Sequence, residues 1–315
     1  MTILITGIQG FVGSNLVDAL KGQHELYGLD IDLSPIDGVK DIYEWSRISS
    51  LPEVDVVIHL AGKAHDVNNK ALAEEYFQVN TKLTQQIFDW FLTTKAKKFI
   101  FFSSVKAVAN SVPDVMLTED VMPLPVGPYG ESKRKAEEYI LSRFDVNKHP
   151  ERVNKFVYIL RPSMIHGKGN KGNLNLLYAF VRKGFAWPLG AFENKRSFTS
   201  VANLIFIVSA LIEKNVQSGV YHVSDDEALS TTEIILIISE VLSKPIKILH
   251  IHPSVIRWAA RIGTMLHLPF NSSRLNKLTE NYIVSNNKIK QALQIEILPV
   301  RAVDGMKKTI KSFSL

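Results

Sequence analysis

Short, nearly continuous apolar runs alternate with helix-patterned stretches through the first half of the chain. Thr2-Ile3-Leu4-Ile5-Thr6, Glu25 to Asp30, Val39 to Ile42, Asp55 to Ala61, Lys98 to Ser103 and Lys155 to Leu160 read as strands. Helical patterns run from Ser14 to Leu20, from about Ala71 to Thr94 and from about Pro128 to Phe144. The second carries Phe77, Leu83, Ile87, Phe88 and Phe91 at apolar positions. Apolar strands separated by helices predict a doubly wound parallel sheet covered on both faces. After Pro162 the pattern becomes mixed. A loop from Gly167 to Asn173 precedes a helix and Trp187-Pro188-Leu189-Gly190. A helix over Val201 to Leu211 and a strand over Gly219 to Ser224 follow, and Thr231 or Thr232 is placed to cap a helix through Ile234 to Leu242.

At 315 residues the chain exceeds the usual single-core size, so one large or two unequal domains are expected. Hydrophobic content of 46% and charged content of 22% suit a globular enzyme. The net charge of +6 is modest. Basic residues are scattered, with clusters at Lys95, Lys97 and Lys98 and at Lys133, Arg134 and Lys135; they suit a solvated surface or mild attraction for a nucleotide. No basic-aromatic platform for nucleic acid is evident. With no cysteine there is no disulfide, thiolate metal site or cysteine nucleophile, and no metal is expected. That composition fits a reducing cytoplasm. The first strand begins next to Met1, so no signal peptide is expected, and no apolar run approaches the ~20 residues of a membrane span. Val255 to Leu266 is amphipathic; a helix packed on its own domain is preferred to one lying on a membrane surface.

The chemistry concentrates in two places. Gly7-Ile8-Gln9-Gly10-Phe11-Val12-Gly13 links the first strand to the first helix. This arrangement presents backbone N–H groups and a helix N-terminus to a phosphate. Gly7 permits the turn, Gly10 lets the backbone approach a pyrophosphate, and Gly13 lets the helix pack close. Asp30, at the end of the second strand, can accept both ribose hydroxyls of an adenosine and would repel a 2′-phosphate, which points to NAD rather than NADP. The second place is Tyr129-Gly130-Glu131-Ser132-Lys133, at the start of a helix. Residues four apart share a helical face. An ammonium beside the phenol would lower its pKa and let it exchange a proton with a sugar or alcohol hydroxyl.

These segments, with His59-Leu60-Ala61-Gly62, Ser103-Ser104, Arg161-Pro162 and Lys195-Arg196-Ser197-Phe198-Thr199, resemble the extended short-chain dehydrogenase/reductases of the nucleotide-sugar epimerase/dehydratase family. The resemblance covers nearly the whole chain. It implies a Rossmann-type NAD-binding domain over residues 1–162 and a smaller mixed nucleotide-sugar domain over 163–315, with part of 198–225 returning to the first. It implies Ser104, Tyr129 and Lys133 as the catalytic set, with Ser103 turned toward the sheet in support of the cofactor. Besides the glycine turn and Asp30, it assigns Asp41 and Ile42 to flank adenine. Leu60, Ala61, Gly62 and Lys63 would lie beneath the ribose and pyrophosphate, with Asn80 ordering backbone and water nearby. For a UDP-sugar it implies Asn173 at the diphosphate, Pro188 and Leu189 at uracil, and Arg196 and Arg274 as phosphate partners, with Lys106 a substrate or loop cation. His59 reads as a packed core residue, and His166 as lying near the nicotinamide without a catalytic part.

Family dehydratases carry an Asp-Glu pair directly after the catalytic Ser or Thr; Val105-Lys106 stands there, which disfavours dehydration. A UDP-sugar 4-epimerase and a reductase of a 4-keto-6-deoxy amino sugar nucleotide both fit, the epimerase being preferred. A non-catalytic dinucleotide sensor has no need of all three catalytic residues. The resemblance also implies a homodimer built on the two long helices, in the cytoplasm.

Overall fold

The apolar runs assemble as their composition predicts. The computed structural model describes residues 1–63, 72–112, 116–145, 149–170, 172–268 and 270–314. β1 (Thr2–Thr6) passes through the glycine turn into α1 (Phe11–Leu20), then β2 (Glu25–Leu29), β3 (Val39–Tyr43) and β4 (Val56–His59). α2 (Ala73–Tyr76), a π-helical segment over Phe77–Lys82 and α3 (Leu83–Thr93) run on from one another; the expected start at Ala71 lies outside the described residues. β5 (Lys98–Phe102), α4 (Pro128–Arg143) and β6 (Phe156–Pro162) follow. The second half contributes β7 (Met164–His166), α5 (Asn173–Arg182), β8 (Phe198–Ser200), α6 (Val201–Glu213), β9 (Gly219–Val223), α7 (Thr231–Val241), α8 (Pro253–Met265), α9 (Ser272–Thr279), α10 (Asn287–Leu293) and α11 (Ala302–Lys311).

Seven parallel strands lie in the order β3-β2-β1-β4-β5-β6-β9. The chain leaves β1 toward β2 and β3, then returns to place β4 on the other side of β1. That reversal opens a crevice at the carboxyl ends of β1 and β4, where ligands of such sheets bind. One face of the sheet is covered by Leu16, Leu204, Ile207, Val208 and Leu211 from α1 and α6, with Ile289 and Leu293 from α10. The other face meets Phe88 and Phe91 of α3 and Ala136 and Ile140 of α4. A separate core joins α5, α7, α8, α9 and α11 through Leu174, Ile234, Ile256, Leu275 and Met306.

Two polar details reward notice. The cap of α7 is Ser230, not Thr231 or Thr232: its hydroxyl accepts the Glu233 N–H at 3.0 Å while the Glu233 carboxylate accepts the Ser230 N–H at 2.6 Å. Thr231 stands inside the first turn, and its hydroxyl donates to the Leu278 carbonyl at 2.6 Å. The buried Lys98 ammonium donates to the carbonyls of Leu211, Ile212 and Lys214 at 3.0, 2.6 and 2.8 Å. It thereby satisfies the C-terminal end of α6 from beneath the sheet.

Lys98→Met keeps the stem but leaves those carbonyls without their donor, and is expected to cost about 2–4 kcal/mol, read from urea unfolding. A pH effect has a separate source. His222 is fully buried on β9, with Nδ1 3.4 Å from the Leu117 carbonyl, and burial together with the Arg161 charge draws its pKa down to about 4. The unfolded ring takes up a proton near pH 6.5 and the folded one does not, so stability falls as pH drops below that value. Between pH 6.5 and 5 this ring alone should remove about 2 kcal/mol, and His222→Asn should flatten that part of the pH profile of the unfolding free energy.

Candidate active site

The glycine turn sits at the switch point of the sheet. Gly7 has φ +69°, and a Cβ there would lie 2.7 Å from the Ala61 nitrogen; one on Gly13 would lie 2.5 Å from the Ile8 carbonyl oxygen. Only glycine allows turn, helix and β4 to approach this closely. Gly10 is the N-cap of α1 and offers no side chain to it, so the helix starts without a side-chain cap. The first N–H groups, from Phe11 to Gly13, form the positive end of α1, which suits a diphosphate. The Asp30 carboxylate accepts the Gln9 N–H at 3.0 Å and the Ile31 N–H at 2.7 Å, placing an acid against the same turn. On the neighbouring strand Asp41 accepts the Ile42 N–H at 2.8 Å, and Ile42 lies half-buried against Gly28. Uncapped donors beside a ribose-accepting acid are a donor set that fits a dinucleotide.

The turn after β4 is held by Asn80, fully buried in the π-helical segment. Its Oδ1 accepts the Lys63 N–H at 2.7 Å, and its Nδ2 donates to the Lys63 carbonyl at 3.1 Å and to Ser132 Oγ at 3.0 Å. A Cβ on Gly62 would sit 3.0 Å from both Asn80 Oδ1 and Lys133 Nζ. Lys63 pairs with Glu75. Behind this lies a buried relay. Thr6 Oγ1 accepts the Ala61 N–H at 3.1 Å and contacts His59 Nδ1 at 2.6 Å; His59 Nε2 contacts Thr84 Oγ1 at 2.8 Å, which donates to the Asn80 carbonyl at 2.7 Å. Because the Thr84 proton is committed, His59 must carry its proton on Nε2. Burial, with the Lys133 charge adding to it, holds His59 well below the usual imidazole range, so the ring is neutral, a core residue as expected.

Tyr129 lies in the first turn of α4 and Lys133 in the second. Ser104 caps the short turn Val105–Ala107, accepting the Lys106 N–H at 3.2 Å. It also hydrogen-bonds the Tyr129 phenol, which favours the phenolate. Burial outweighs that bond and raises the Tyr129 pKa. This corrects the expected lowering by Lys133. The ammonium instead donates to the Phe102 carbonyl at 2.8 Å, and burial draws its own pKa down to about 8 against the opposing charge of Glu137. Ser103 also lines the cavity, with its hydroxyl turned back toward the sheet as expected. Its hydroxyl donates to the fully buried Glu137 carboxylate at 2.5 Å, which Arg161 grips through Nε at 2.8 Å and a terminal nitrogen at 2.6 Å.

A cavity of about 770 Å³ brings together Phe11, Val12, Leu60, Gly62, Lys63, Ser104, Lys106, Tyr129, Lys133, Asn173 and Arg196. It does not include Pro188, Leu189, Arg274 or His166. The backbone of Trp187 pairs with Lys247 and Leu249 at 2.8 Å, and Leu189 is buried in the second core. Arg274 is exposed one turn before Lys277, which does reach the cavity. His166 turns to Thr309 at 2.8 Å and lies 3.6 Å from Asp225. Sequence reasoning missed Lys277, Glu280, Tyr282, Asn110 and Tyr76. Lys106 lies 4.7 Å from the Tyr282 ring centre and donates to the Asn110 carbonyl at 2.6 Å. Arg196 donates to the Lys277 carbonyl and lies 3.6 Å from Glu280. Burial lowers the pKa of Lys106 and of Arg196, with Glu280 opposing both shifts. Among the described lining residues Glu280 is the single carboxylate, against Lys63, Lys106, Lys133, Arg196 and Lys277. Such a wall attracts an anion.

The chain is similar to known proteins. The model of the NAD dependent epimerase/dehydratase family matches residues 3–224. The chain is 32% identical to a UDP-glucose 4-epimerase of Vibrio cholerae over 259 residues, covering 78% of this chain and 76% of that protein. It is 28% identical to an N-acetyl-alpha-D-glucosaminyl-diphospho-ditrans,octacis-undecaprenol 4-epimerase of Escherichia coli O157:H7 over 259 residues, covering 79% and 75%. The solved structure of MoeE5 in complex with UDP-glucuronic acid and NAD covers 100% of this chain and 99% of its own, with TM-score 0.75 and 18% identity; that likeness is one of fold.

Proposed function

The chain belongs to the NAD dependent epimerase/dehydratase family, and from that premise we propose that it is a nucleotide-sugar 4-epimerase that uses NAD and acts on a UDP-hexose or UDP-N-acetylhexosamine. The observation that carries this reading is the meeting of Ser104, Tyr129 and Lys133 in one cavity. Its walls run from the uncapped start of α1 to Lys106 and Arg196. Residues 1–162 would take the dinucleotide, and the lobe drawn from 163–315 the sugar nucleotide.

In this reading the N–H groups of Phe11 to Gly13 hold the diphosphate of NAD, and Asp30 accepts its adenosine ribose. Bound NAD supplies reversible hydride acceptance at C4 of the sugar. Tyr129 takes and returns the proton of the C4 hydroxyl, while Ser104 holds that hydroxyl and steadies the phenolate. Burial opposes ionisation of the phenol and the Ser104 hydrogen bond favours it, while the Lys133 pKa of about 8 leaves its ammonium form dominant at neutral pH. Lys106 and Arg196 face the substrate diphosphate, with Asn173 at the start of α5. Inversion requires the sugar to present its other face between loss and return of hydrogen. With Val105-Lys106 following Ser104, no acid–base pair is set for removal of water.

Tyr129→Phe removes one oxygen, so purified protein should keep its NAD content while turnover on UDP-glucose or UDP-N-acetylglucosamine falls by ~10²–10⁴-fold. Unchanged turnover would refute the proton donor. An epimerase keeps its NAD through gel filtration and needs no added nucleotide. Stoichiometric NADH oxidation with a UDP-4-keto-6-deoxy sugar would instead assign a reductase, and NAD binding with no turnover on any of these would assign a sensor. Assembly as a homodimer through α3 and α4 belongs to the same proposal and is read by light scattering.

A further inference from the structure

Although basic residues occur throughout the chain, their excess over acids does not. Residues 241–279 contain Lys244, Lys247, Arg257, Arg261, Arg274 and Lys277 and no Asp or Glu. This stretch therefore carries the whole surplus of +6, and the remaining residues balance. At its centre α8 packs inward through Ile256, Ala260 and Gly263. Its larger apolar side chains point the other way. Helical spacing puts Val255, Trp258, Ala259, Ile262, Met265 and Leu266 within an arc of about 120°. Val255 is 55% exposed, Trp258 65%, Met265 73% and Leu266 58%. Arg261 borders this stripe and Arg257 lies behind Arg261.

Leu268 and Ser272, which follow α8, are tied back to it. The Leu268 N–H donates to the Gly263 carbonyl at 2.8 Å and the Ser272 N–H to Thr264 Oγ1 at 3.0 Å. The Phe270 carbonyl oxygen lies only 1.8 Å from where a Gly263 Cβ would be, so glycine permits the close fit. Exposed Leu268 and Phe270 thus stand beside the end of the stripe.

We propose that α8, with Leu268 and Phe270 beside it, docks the protein on an anionic lipid bilayer surface. Tryptophan, methionine, leucine and phenylalanine suit the boundary between headgroups and acyl chains, and the flanking Arg257 and Arg261, in a stretch without Asp or Glu, suit anionic headgroups. A second copy of the chain fits less well, since a two-fold contact would set this basic surface against itself. With 13 residues α8 is too short to cross a bilayer, and no described helix is long and apolar enough to do so. α8 packs on α9, which carries Lys277 into the cavity, so docking would bring the lobe that lines the cavity to the membrane. This inference does not depend on the reaction proposed above.

The test is sedimentation of the full-length protein with vesicles of phosphatidylcholine alone or with added phosphatidylglycerol. Phosphatidylglycerol should raise the bound fraction by ~10-fold or more, and salt should reverse the gain. Trp258→Glu and the pair Arg257→Glu with Arg261→Glu should each abolish binding and leave melting temperature and turnover unchanged. No binding to either vesicle, or binding that survives Trp258→Glu, would overturn the proposal. Self-association lost on Trp258→Glu without vesicle binding would assign the face to a second copy and overturn it equally.

Discussion

The Glu137 carboxylate, gripped by Arg161 and Ser103 in a place without solvent, sets the rotation of α4. Arg161 belongs to β6, and Ser103 directly follows β5, so the carboxylate ties one helix to two adjacent strands. Lys133 lies one turn before it and Tyr129 two. With that face locked to the sheet, both must look toward the carboxyl ends of the strands. Burying two charges is costly, and the bidentate geometry with a third hydrogen bond from Ser103 is what makes it tolerable. An apolar pair would hold the helix as firmly but would not fix its rotation by hydrogen-bond direction.

The turn after β4 is specified by an equally dry set of contacts. Asn80 treats the Lys63 peptide as a strand partner would, bonding both its N–H and its carbonyl, and reaches Ser132 on α4 with its remaining proton. The π-helical segment in which it stands inserts irregularity into an otherwise continuous helix, a device often found at functional sites. His59, neutral and protonated on one nitrogen, transmits the register of β1 and β4 to Asn80 without contacting the cavity. The fold thus positions the site through residues that have no chemical part in it.

Much of this was legible in the chain. The strands, the glycine turn, Asp30 and the spacing of Tyr129 and Lys133 depend on local sequence, because turn sterics and helical periodicity act over a few residues. Misplaced expectations share another cause. The resemblance puts Leu189 and Arg274 at the substrate, but pairing of Trp187 with Lys247 and Leu249 leaves Leu189 in the second core, and Arg274 stands one turn of α9 short of the cavity that Lys277 reaches. Lys277, Glu280 and Tyr282 reach the cavity because Arg196 pairs with Tyr282 across the lobe, a contact that no local pattern encodes. The raised pKa of Tyr129 was hidden for the same reason: burial is a property of the assembled fold, whereas the four-residue spacing to Lys133 is local.

The path of the backbone has a consequence for how such a protein can change. After β6 the chain departs to build the second core, returns to lay down α6 and β9, departs again, and comes back once more with α10 against the sheet. The lobe is therefore stitched into the sheet at several seams rather than appended to its end. A new sugar preference can arise by rewriting the loops between those seams, whereas amputating the lobe would strip the seventh strand and most of one covering layer, leaving α1 alone on that face of the dinucleotide half.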